Sequence, residues 1–429
     1  MPDTYAPKAE NHAPNQPDKV INKKAWDSYL HSPDILSENN PELFFAILIY
    51  LCLGAKRGYT GNHQSSETQT MKDQVKDIKY IRHDSLLAWG QTCLEKLGVP
   101  DNDAHFLSES LIQTSLWGID SHGIARLPHY LARLQAASIK PAPNIKIENA
   151  GPCIANIDGD HGLGIVVTGR ATKEAIRLAK KNGVGIAGIR ESSHCGAIGI
   201  YGRMIANEGL IGIVFTHTDS LAAPHRGYQK FLGTNPICIS VPNADGLPVC
   251  LDMATTIIPY NAVLNARREN GKIPEGVAFD KEGAPTEDPH SVASLAPVGM
   301  HKGYALSFMI DLLCGPLNGM AWGPNISNMY RDLTERRHLG SLVIAIDPQR
   351  FFGGTTFPRS AAEMAREARE QTPRDPGQPV LAPGDDHYAN EKLRLAHGIP
   401  IEPGLWEQMN ELSIKFGAAL PESVDGAAN

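Results

Sequence analysis

Gly183-Val184-Gly185-Ile186-Ala187-Gly188 decides the fold, because it satisfies the G-x-G-x-x-G fingerprint of dinucleotide-binding proteins in the wrong setting. That fingerprint works after a strand and at the start of a helix, where backbone N–H groups hold a pyrophosphate. Here the helical run Arg170 to Lys181 comes first, and Gly183 suits a left-handed cap at its end. Val184 to Ile189 then has the short apolar pattern of a strand. The sequence therefore argues against a Rossmann site here.

Strand-like and helix-like runs alternate on both sides of this stretch. The predicted strands are short apolar runs: Cys153 to Ile157, Val184 to Ile189, Ile211 to Thr216, Ile237 to Val241, Val249 to Met253 and Leu342 to Ile346. Helical runs such as Ala197 to Asn207 lie between them. The nearly all-apolar run Tyr304 to Cys314 is predicted to be a helix inside the sheet region. This alternation predicts an α/β protein with a mainly buried sheet.

Amphipathic helical patterns flank the alternating part on both sides. We therefore predict a helical lobe built from residues 72–140 and 348–429. Residues 141–347 are predicted to form an α/β cofactor-binding and catalytic domain. Residues 1–71 lack sustained periodicity, and we predict that they are a disordered or dispensable extension.

Composition narrows the class of protein. The chain has 429 residues, a formal net charge of -7 and no long Lys/Arg block, which argues against nucleic acid or an anionic membrane as partner. The apolar run Leu43 to Ala55 is shorter than the roughly 20 residues that cross a bilayer, and no secretory signal is predicted. Seven dispersed cysteines without a C-x-x-C pair indicate reduced thiols and a cytoplasmic location. A small-molecule ligand is the default expectation.

His194 is the best catalytic candidate. It follows the run that ends at Ile189 and precedes a helix-like stretch beginning near Gly196. A histidine at such a turn, packed among small residues, is free on one side to meet a ligand. Its imidazole titrates at about pH 6.5 when unperturbed, so it can take and return a proton near neutrality. The position also suits a histidine that only hydrogen-bonds within the turn, and this segment alone leaves both interpretations open.

Four further motifs follow a fixed order with the His194 segment. In Asp120-Ser121-His122-Gly123-Ile124-Ala125-Arg126, a hydroxyl, an imidazole and a guanidinium lie within six residues. The other motifs are Leu232-Gly233-Thr234-Asn235-Pro236, Leu251-Asp252-Met253-Ala254-Thr255-Thr256 and His301-Lys302-Gly303-Tyr304. Each motif alone is a weak signal, but their joint occurrence is specific.

Together the five motifs resemble the type-2 malate/L-lactate dehydrogenase family, which includes ureidoglycolate and sulfolactate dehydrogenases. The resemblance runs from about Ile78 to the C-terminal region. It implies a non-Rossmann, mixed-sheet α/β fold of the sulfolactate/malate dehydrogenase type, with a helical N- and C-terminal lobe. It also implies an NAD(P)-dependent oxidoreductase acting on the CH–OH group of a small 2-hydroxy acid or on the matching 2-oxo acid, as a homodimer or higher homo-oligomer.

The resemblance also implies roles for individual residues. His194 becomes the acid/base group, while Ser121, His122 and Arg126 surround the substrate. Arg126 suits a carboxylate because its planar fork makes two parallel charge-assisted hydrogen bonds. The positions that match cofactor contacts are Thr218, Asp252, Met253, Ala254, Lys302, Gly384, Asp385 and Asp386. No resident metal is predicted.

Two departures from the family pattern bear on the cofactor. His225-Arg226-Gly227 stands where two adjacent glycines are common, and Asn261-Ala262 replaces a frequent Gly-Lys pair. We predict NAD, with NADP as the alternative, because Asp385 and Asp386 would repel the 2′-phosphate of NADP. Arg226 would act in the opposite sense if it projects inward.

Ureidoglycolate is the favoured substrate, because the stretches 327–333 and 337–340 resemble that subgroup; malate or lactate comes next, and sulfolactate stays open. The alternative within the family is NADPH-dependent reduction of a cyclic imino acid or a diketo acid. A metal-dependent hydrolase is an alternative from another class, with His122, His194, Asp252 and His387 as metal ligands. The absence of an H-E-x-x-H or comparable close pair argues against that alternative.

Overall fold

The computed structural model describes residues 78–424. The predicted extension, residues 1–71, lies outside this range, as does the apolar run Leu43 to Ala55. Within residues 78–424 no helix combines the length and the apolar character needed to cross a membrane.

Ten α-helices and eleven strands make up the described part of the chain. The helices are α1 His83–Glu95, α2 Asp101–Leu116, α3 Leu127–Gln135, α4 Gly164–Asn182, α5 Gly199–Asn207, α6 Tyr260–Arg268, α7 His301–Cys314, α8 Phe357–Arg369, α9 Asp385–His397 and α10 Pro403–Phe416. The strands are β1 Lys79–Ile81, β2 Lys146–Gly151, β3 Ile154–Asp158, β4 Val184–Ser192, β5 Ile211–Thr216, β6 Ile237–Val241, β7 Val249–Met253, β8 Ala278–Phe279, β9 Ser294–Leu295, β10 Leu339–Ile346 and β11 Ile399–Ile401.

A seven-stranded mixed sheet forms the centre, in the order β2-β3-β4-β10-β5-β6-β7. Strands β3 and β4 are parallel, while β10 runs antiparallel to both of its neighbours, β4 and β5. The mixed α/β fold predicted from the sequence is therefore confirmed. The six predicted strands are also present: β5, β6 and β7 have the predicted bounds, and the ends of β3, β4 and β10 are shifted by one to three residues.

The decisive glycine stretch behaves as the sequence indicated. Gly183 ends α4 in the left-handed conformation, with φ of 91°, and its N–H donates to the carbonyl of Ala179. β4 begins at the next residue. Its alternate residues, such as Ala187 and Ile189, are buried under α4 and α5, because successive side chains of a strand point to opposite faces. The G-x-G-x-x-G match therefore belongs to a helix-to-strand turn and a strand.

One hydrophobic core joins the two ends of the described chain. It combines residues of α1, α2 and α3 with residues of β11 and α10, including Trp89, Tyr130, Ile401 and Met409. Trp89 Nε1 donates a hydrogen bond to Ser413 Oγ at 2.8 Å across this core. The division of the chain at residues 140 and 348 stays a prediction.

The prediction for the apolar run Tyr304 to Cys314 was wrong in one respect. The run is helical, as part of α7, but only one side of the helix is buried, including Ser307, Ile310 and Cys314. Phe308 and Met309 on the other side are 38% and 54% exposed. An apolar sequence predicts burial, but it does not say that the burying surface belongs to the same chain.

Candidate active site

The candidate site lies where α4 begins and β4 ends. Ser193 Oγ donates to the carbonyl of Gly162 at 2.9 Å and accepts from the N–H of Gly164 at 2.8 Å. A Cβ at position 164 would lie 2.1 Å from the Ser193 carbonyl oxygen and 2.5 Å from that of His194, so only glycine fits there. These contacts fix the backbone of His194 against the first turn of α4.

His194 contacts a tyrosine that sequence reasoning did not single out. Tyr130 Oη, from α3, lies 2.6 Å from Nδ1 of His194, and the Gly196 N–H donates to the same nitrogen at 3.2 Å. With the proton on Nδ1, the ring donates to Tyr130 and leaves Nε2 free to accept another proton. With the proton on Nε2, Nδ1 accepts from both groups instead. Tyr130 was missed because it is 64 residues away in sequence.

The surroundings of His194 favour a neutral ring. Burial, followed by the positive charges nearby, lowers its pKa well below the ordinary value. His122 stacks against it with ring centroids 5.6 Å apart, and burial followed by the Arg126 charge lowers the pKa of His122 to about 3. The structure therefore brings the two predicted histidines together as uncharged side chains. A neutral imidazole is the form that can accept a proton.

Arg126 lies beside this pair and is held by backbone and side-chain contacts. Its Nε donates to the Ser121 carbonyl at 2.5 Å, and its Nη1 donates to the hydroxyl of Tyr330. A guanidinium carries five N–H donors. Among residues 78–424 no hydrogen-bond acceptor is recorded for the other three. The Ser121 hydroxyl is 2.9 Å from Nδ1 of His122, so the three predicted substrate residues form one cluster.

The segment that suggested the substrate subgroup contacts the same cluster. Tyr330 reaches Arg126, and the carbonyl of Met329 accepts from Nη2 of buried Arg133 at 2.7 Å. Asn261, one of the two departures from the family pattern, donates its side-chain amide to the Ser121 carbonyl at 3.3 Å. The subgroup-like segment 327–333 and the departure at Asn261 therefore both lie at the candidate substrate pocket.

Four of the predicted cofactor positions lie on or beside loops that hydrogen bonds join to one another. The hydroxyl of Thr218 accepts from the N–H of Thr234 at 3.1 Å, and the Thr234 carbonyl accepts from both the N–H and the hydroxyl of Thr255. The Thr255 carbonyl in turn accepts from the N–H of Val298 at 2.9 Å. This series connects Thr218 with the loop carrying Met253 and Ala254 and with the turn before Lys302.

Asp252, in β7, places its carboxylate at the start of α5 and beside a buried arginine. Its Oδ2 accepts from the N–H of Gly199 at 2.8 Å, while burial raises its pKa to about 6 against the effect of that bond and of Arg203. Arg203 packs over the ring of Trp117 at 4.0 Å. Its buried Nη1 has no hydrogen-bond partner within residues 78–424. An unsatisfied buried donor is costly, and a polar ligand would supply the missing acceptor.

The acidic turn differs from what the sequence suggested. Gly384 precedes α9 with φ of 98°, close to Arg203. Asp385 makes a two-point ion pair with Arg369, at 2.8 Å for both bonds, and also accepts from the N–H of Ala382. Its charge is therefore compensated, whereas Asp386 is largely exposed. Only one of the two carboxylates is available to repel a cofactor phosphate.

The four ligands of the hypothetical metal hydrolase do not form a group. Asp252 is bonded to Gly199, and Nδ1 of His387 contacts Nη2 of Arg203 at 2.8 Å. In the described part of the chain, the group of histidine, cysteine or acidic side chains that lies close enough together to hold a metal contains none of these four residues. The structure therefore gives no support to the hydrolase alternative.

A buried polar pair lies behind the site, and no sequence pattern indicated it. Nδ1 of His217 contacts Oδ1 of Asp311 at 2.9 Å, and Nε2 of His217 accepts from the N–H of Gly340 at 2.9 Å. Oδ2 of Asp311 accepts from the N–H of Gly323 at 3.0 Å. The pair thus joins the end of β5 to α7 and the start of β10, next to Thr218.

Comparison with known proteins agrees with this geometry. The profile of the family described as malate/L-lactate dehydrogenase matches residues 81–410. A malate/(S)-sulfolactate dehydrogenase of Methanothermus fervidus is 39% identical over 76% of this chain and 95% of its own length. A ureidoglycolate dehydrogenase (NAD(+)) of Escherichia coli O157:H7 is 34% identical over 73% of this chain and 89% of its own length.

A solved structure resembles the fold as well. The sulfolactate dehydrogenase of Methanocaldococcus jannaschii superimposes with a TM-score of 0.75 and 36% identity, covering 80% of this chain and 98% of its own. The residues matched by the family profile, 81–410, contain the sheet, α4 and the His194 turn. The chain belongs to the malate/L-lactate dehydrogenase family.

Proposed function

We propose that this protein is a nicotinamide-dependent dehydrogenase of a small 2-hydroxy acid, with His194 as its acid/base group. The observation that carries the proposal is the cluster of neutral His194, Tyr130 and Arg126 at one sheet edge. Oxidation of a hydroxy acid needs a proton acceptor for the hydroxyl group and a cation for the carboxylate. The bound nicotinamide would supply the hydride acceptor.

Tyr130 would hold the form of His194 that accepts a proton at Nε2, because its hydroxyl can accept the Nδ1 proton, whereas the Gly196 N–H donates to Nδ1 in the other form. When the Nδ1 proton is donated to the Tyr130 hydroxyl, Nε2 is free to take the proton of the substrate hydroxyl. The imidazolium that results returns this proton when the reaction runs toward the alcohol. Because burial, followed by His122 and the Arg126 charge, lowers the pKa of His194, the imidazolium is disfavoured and proton release from His194 is easy.

Arg126 would bind the substrate carboxylate with the N–H groups that its contacts to Ser121 and Tyr330 leave free. Both contacts also limit rotation of the guanidinium, so little side-chain entropy is lost on binding. His122 would pack against the substrate from the side of Ser121. These roles for Ser121 and His122 are part of the same proposal.

Ureidoglycolate is our preferred substrate, because the subgroup-like segment 327–333 contacts Arg126 through Tyr330. Malate and lactate come next, with sulfolactate, cyclic imino acids and diketo acids behind them. The test is a panel of these acids with NAD and NADP, following absorbance of the reduced nicotinamide. Inclusion of the neutral amide of the best acid tests Arg126, since equal rates on acid and amide would contradict its role. No turnover with any 2-hydroxy or 2-oxo acid would contradict the proposal as a whole.

For the cofactor we propose NAD, because one exposed carboxylate, rather than the two expected from the sequence, would repel the phosphate of NADP. Asp386 is exposed and would repel a 2′-phosphate, but Asp385 is compensated by Arg369. The cofactor would contact Thr218, Lys302 and the 252–254 loop, where the unsatisfied Nη1 of Arg203 can donate to it. A specificity constant at least tenfold higher with NADP would reverse this choice and implicate the exposed Arg226.

We further propose a cytoplasmic homodimer. None of the six described cysteines is in a disulfide, which fits a reducing compartment. The exposed apolar side of α7 would pack against the second subunit, since such patches mark protein interfaces. Light scattering on the native protein and on Met309→Glu tests this. Equal masses for the two proteins, whether both monomeric or both dimeric, would contradict a dimer through α7.

A further inference from the structure

Three neighbouring strands end in one group of metal-ligating side chains. His161 follows β3, Glu191 lies near the end of β4, and His338 immediately precedes β10. Because β3 and β4 are parallel and β10 is antiparallel to β4, these positions lie at the same edge of the sheet. Their ligand atoms all lie within 4.8 Å of one another, and no other such group was found in residues 78–424.

The carboxylate of Glu191 lies between the two histidines. Its Oε2 is 3.2 Å from Nδ1 of His161 and 2.5 Å from Nδ1 of His338. The nearer contact is a hydrogen bond. The contact to His161 lacks hydrogen-bond geometry, so this buried ring nitrogen has no hydrogen-bond partner in the described part of the chain. An unpartnered ring nitrogen close to a carboxylate is an arrangement that a bound cation would satisfy.

The backbone holds these residues in place. The N–H of His161 donates to the Glu191 carbonyl at 2.8 Å, and the residue after His338 pairs with Ser192 in the sheet. All three side chains are carried by residues with positive φ, 58° at His161, 50° at Glu191 and 45° at His338. Non-glycine residues adopt this conformation rarely, and it persists only where the surrounding structure enforces it. The three side chains are therefore presented to one another by a fixed frame.

We propose that His161, Glu191 and His338 bind one Zn²⁺ ion, with water in the fourth position. Two imidazoles and one carboxylate are a ligand set that zinc accepts, and Zn–N and Zn–O bonds are about 2.0 to 2.2 Å long. A tetrahedron with such bonds has edges of about 3.4 Å, close to the 3.2 Å between His161 and Glu191. His338 is half exposed, so its ring can shift to lengthen the 2.5 Å contact with Glu191 and to close the wider spacing of up to 4.8 Å within the group.

Binding would exchange protons for the metal without any redox change. The proton now shared between His338 and Glu191 would leave, because a ligating imidazole nitrogen must present its lone pair. The ion would join the β3–α4 turn, the end of β4 and the start of β10. Since Ser193 and His194 follow Glu191 directly, it would act as a structural clamp on the segment carrying the candidate base.

The experiment uses the full chain after treatment with a chelator. Titration calorimetry with Zn²⁺ alone and visible absorption with Co²⁺ alone should each show one bound ion per chain, and Zn²⁺ should raise the midpoint of thermal unfolding. His338→Gln and Glu191→Gln should each weaken binding by more than about 100-fold, beyond the 10- to 100-fold cost of losing an outer-shell partner. Calorimetry in buffers of different ionisation enthalpy should show proton release.

Two matched controls separate this site from other histidines. His290→Gln removes an exposed histidine outside the cluster, and His225→Gln breaks a separate, exposed histidine pair, His225 with His301. Both controls should bind Zn²⁺ as the native protein does. Unchanged binding in His338→Gln and Glu191→Gln, or loss in either control, would overturn the assignment. Absence of Zn²⁺ binding in the native chain would show that the cluster is only a hydrogen-bonded ion pair and would also overturn it.

Discussion

Two pairs of histidines lie near the same edge of the sheet in opposite environments. His194 and His122 stack on each other beside Arg126, and no carboxylate contacts either ring in the described structure. His161 and His338 instead converge on Glu191. The first environment keeps imidazole neutral and ready for proton exchange. The second supplies the negative charge that a cation needs.

The difference shows that neighbours, rather than the histidine itself, set the chemistry. Only two residues separate Glu191 from His194 in the chain, yet the side chains of Glu191 and His194 belong to different clusters. Ser192 and Ser193 between them are buried, and Ser193 is tied to the turn before α4. The backbone here therefore keeps a carboxylate away from the candidate base.

The largest effect is expected when the neutral pair loses His194. His194→Ala should lower turnover by a factor on the order of 10² to 10⁴, because general acid/base catalysis contributes about that much. Cofactor affinity, measured by fluorescence titration, should change little. His290→Gln is the matched control and should keep native turnover. Native turnover in His194→Ala would remove the contrast between the two pairs.

Arg126 distinguishes the two histidine pairs further, because its charge contributes to lowering the pKa of both His194 and His122. Arg126→Lys retains the charge but loses the planar fork, and charged hydrogen bonds are worth about 1.5 to 3 kcal/mol. We therefore expect kcat/KM for the best acid to fall roughly 10- to 100-fold, measured by steady-state kinetics. The fall should be much smaller for the neutral amide of the same acid. An equal fall for both compounds would show that Arg126 supports the fold instead of the carboxylate.

Tyr130 tests whether the ring proton of His194 must be directed. Tyr130→Phe removes the partner of Nδ1 at 2.6 Å and leaves the Gly196 N–H, which favours the proton on Nε2. Because that form cannot accept a proton at Nε2, oxidation should slow by a factor on the order of 10. The pH profile of kcat should also shift, which a loss of packing alone would not cause. A native rate and profile would contradict the role of Tyr130.

The smallest effect concerns acid stability. Burial is the main cause that lowers the pKa of His122 to about 3 and that of His129 to about 4, whereas both titrate at about 6.5 in an unfolded chain. Below about pH 6.5 the unfolded chain therefore binds protons that the folded chain does not. The free energy of unfolding of the protein should therefore fall as the pH drops from about 6.5 to 4.

Urea unfolding at several pH values in this range measures the slope. His122→Gln should reduce the slope by about one proton, while His290→Gln should leave it unchanged. An unchanged slope in His122→Gln would mean that this ring is protonated in the folded protein. The pair His122 and His194 would then not differ in charge from the pair His161 and His338.

Local patterns predicted much of the fold. The helix-to-strand turn at Gly183 and the apolar strands β4 to β7 follow from short-range periodicity, because buried strands need apolar residues. The exposure of Phe308 was not predictable, since hydrophobicity specifies burial without naming the covering surface. The ion pair of Asp385 with Arg369 was missed for a similar reason, because the acidic turn shows its charges and not their partners.

Some residues of the candidate site were likewise predictable from the sequence, and others were not. His194 and Arg126 were found because each lies in a motif of a few residues. Tyr130 and the cluster around Glu191 were missed because their members lie far apart in sequence and meet only in the folded sheet. Such contacts leave no local periodicity. Positive φ at three non-glycine residues is likewise visible only in the structure.

Helix α7 carries Lys302 in its first turn and exposes Phe308 and Met309 about two turns later. A subunit contact through this apolar side would therefore be linked thermodynamically to cofactor affinity, because both would act on one short helix. Dilution that separates the subunits would then weaken nicotinamide binding, and added nicotinamide would hold the subunits together. Specific activity would depend on protein concentration, and cofactor would protect the enzyme most strongly where it is most dilute.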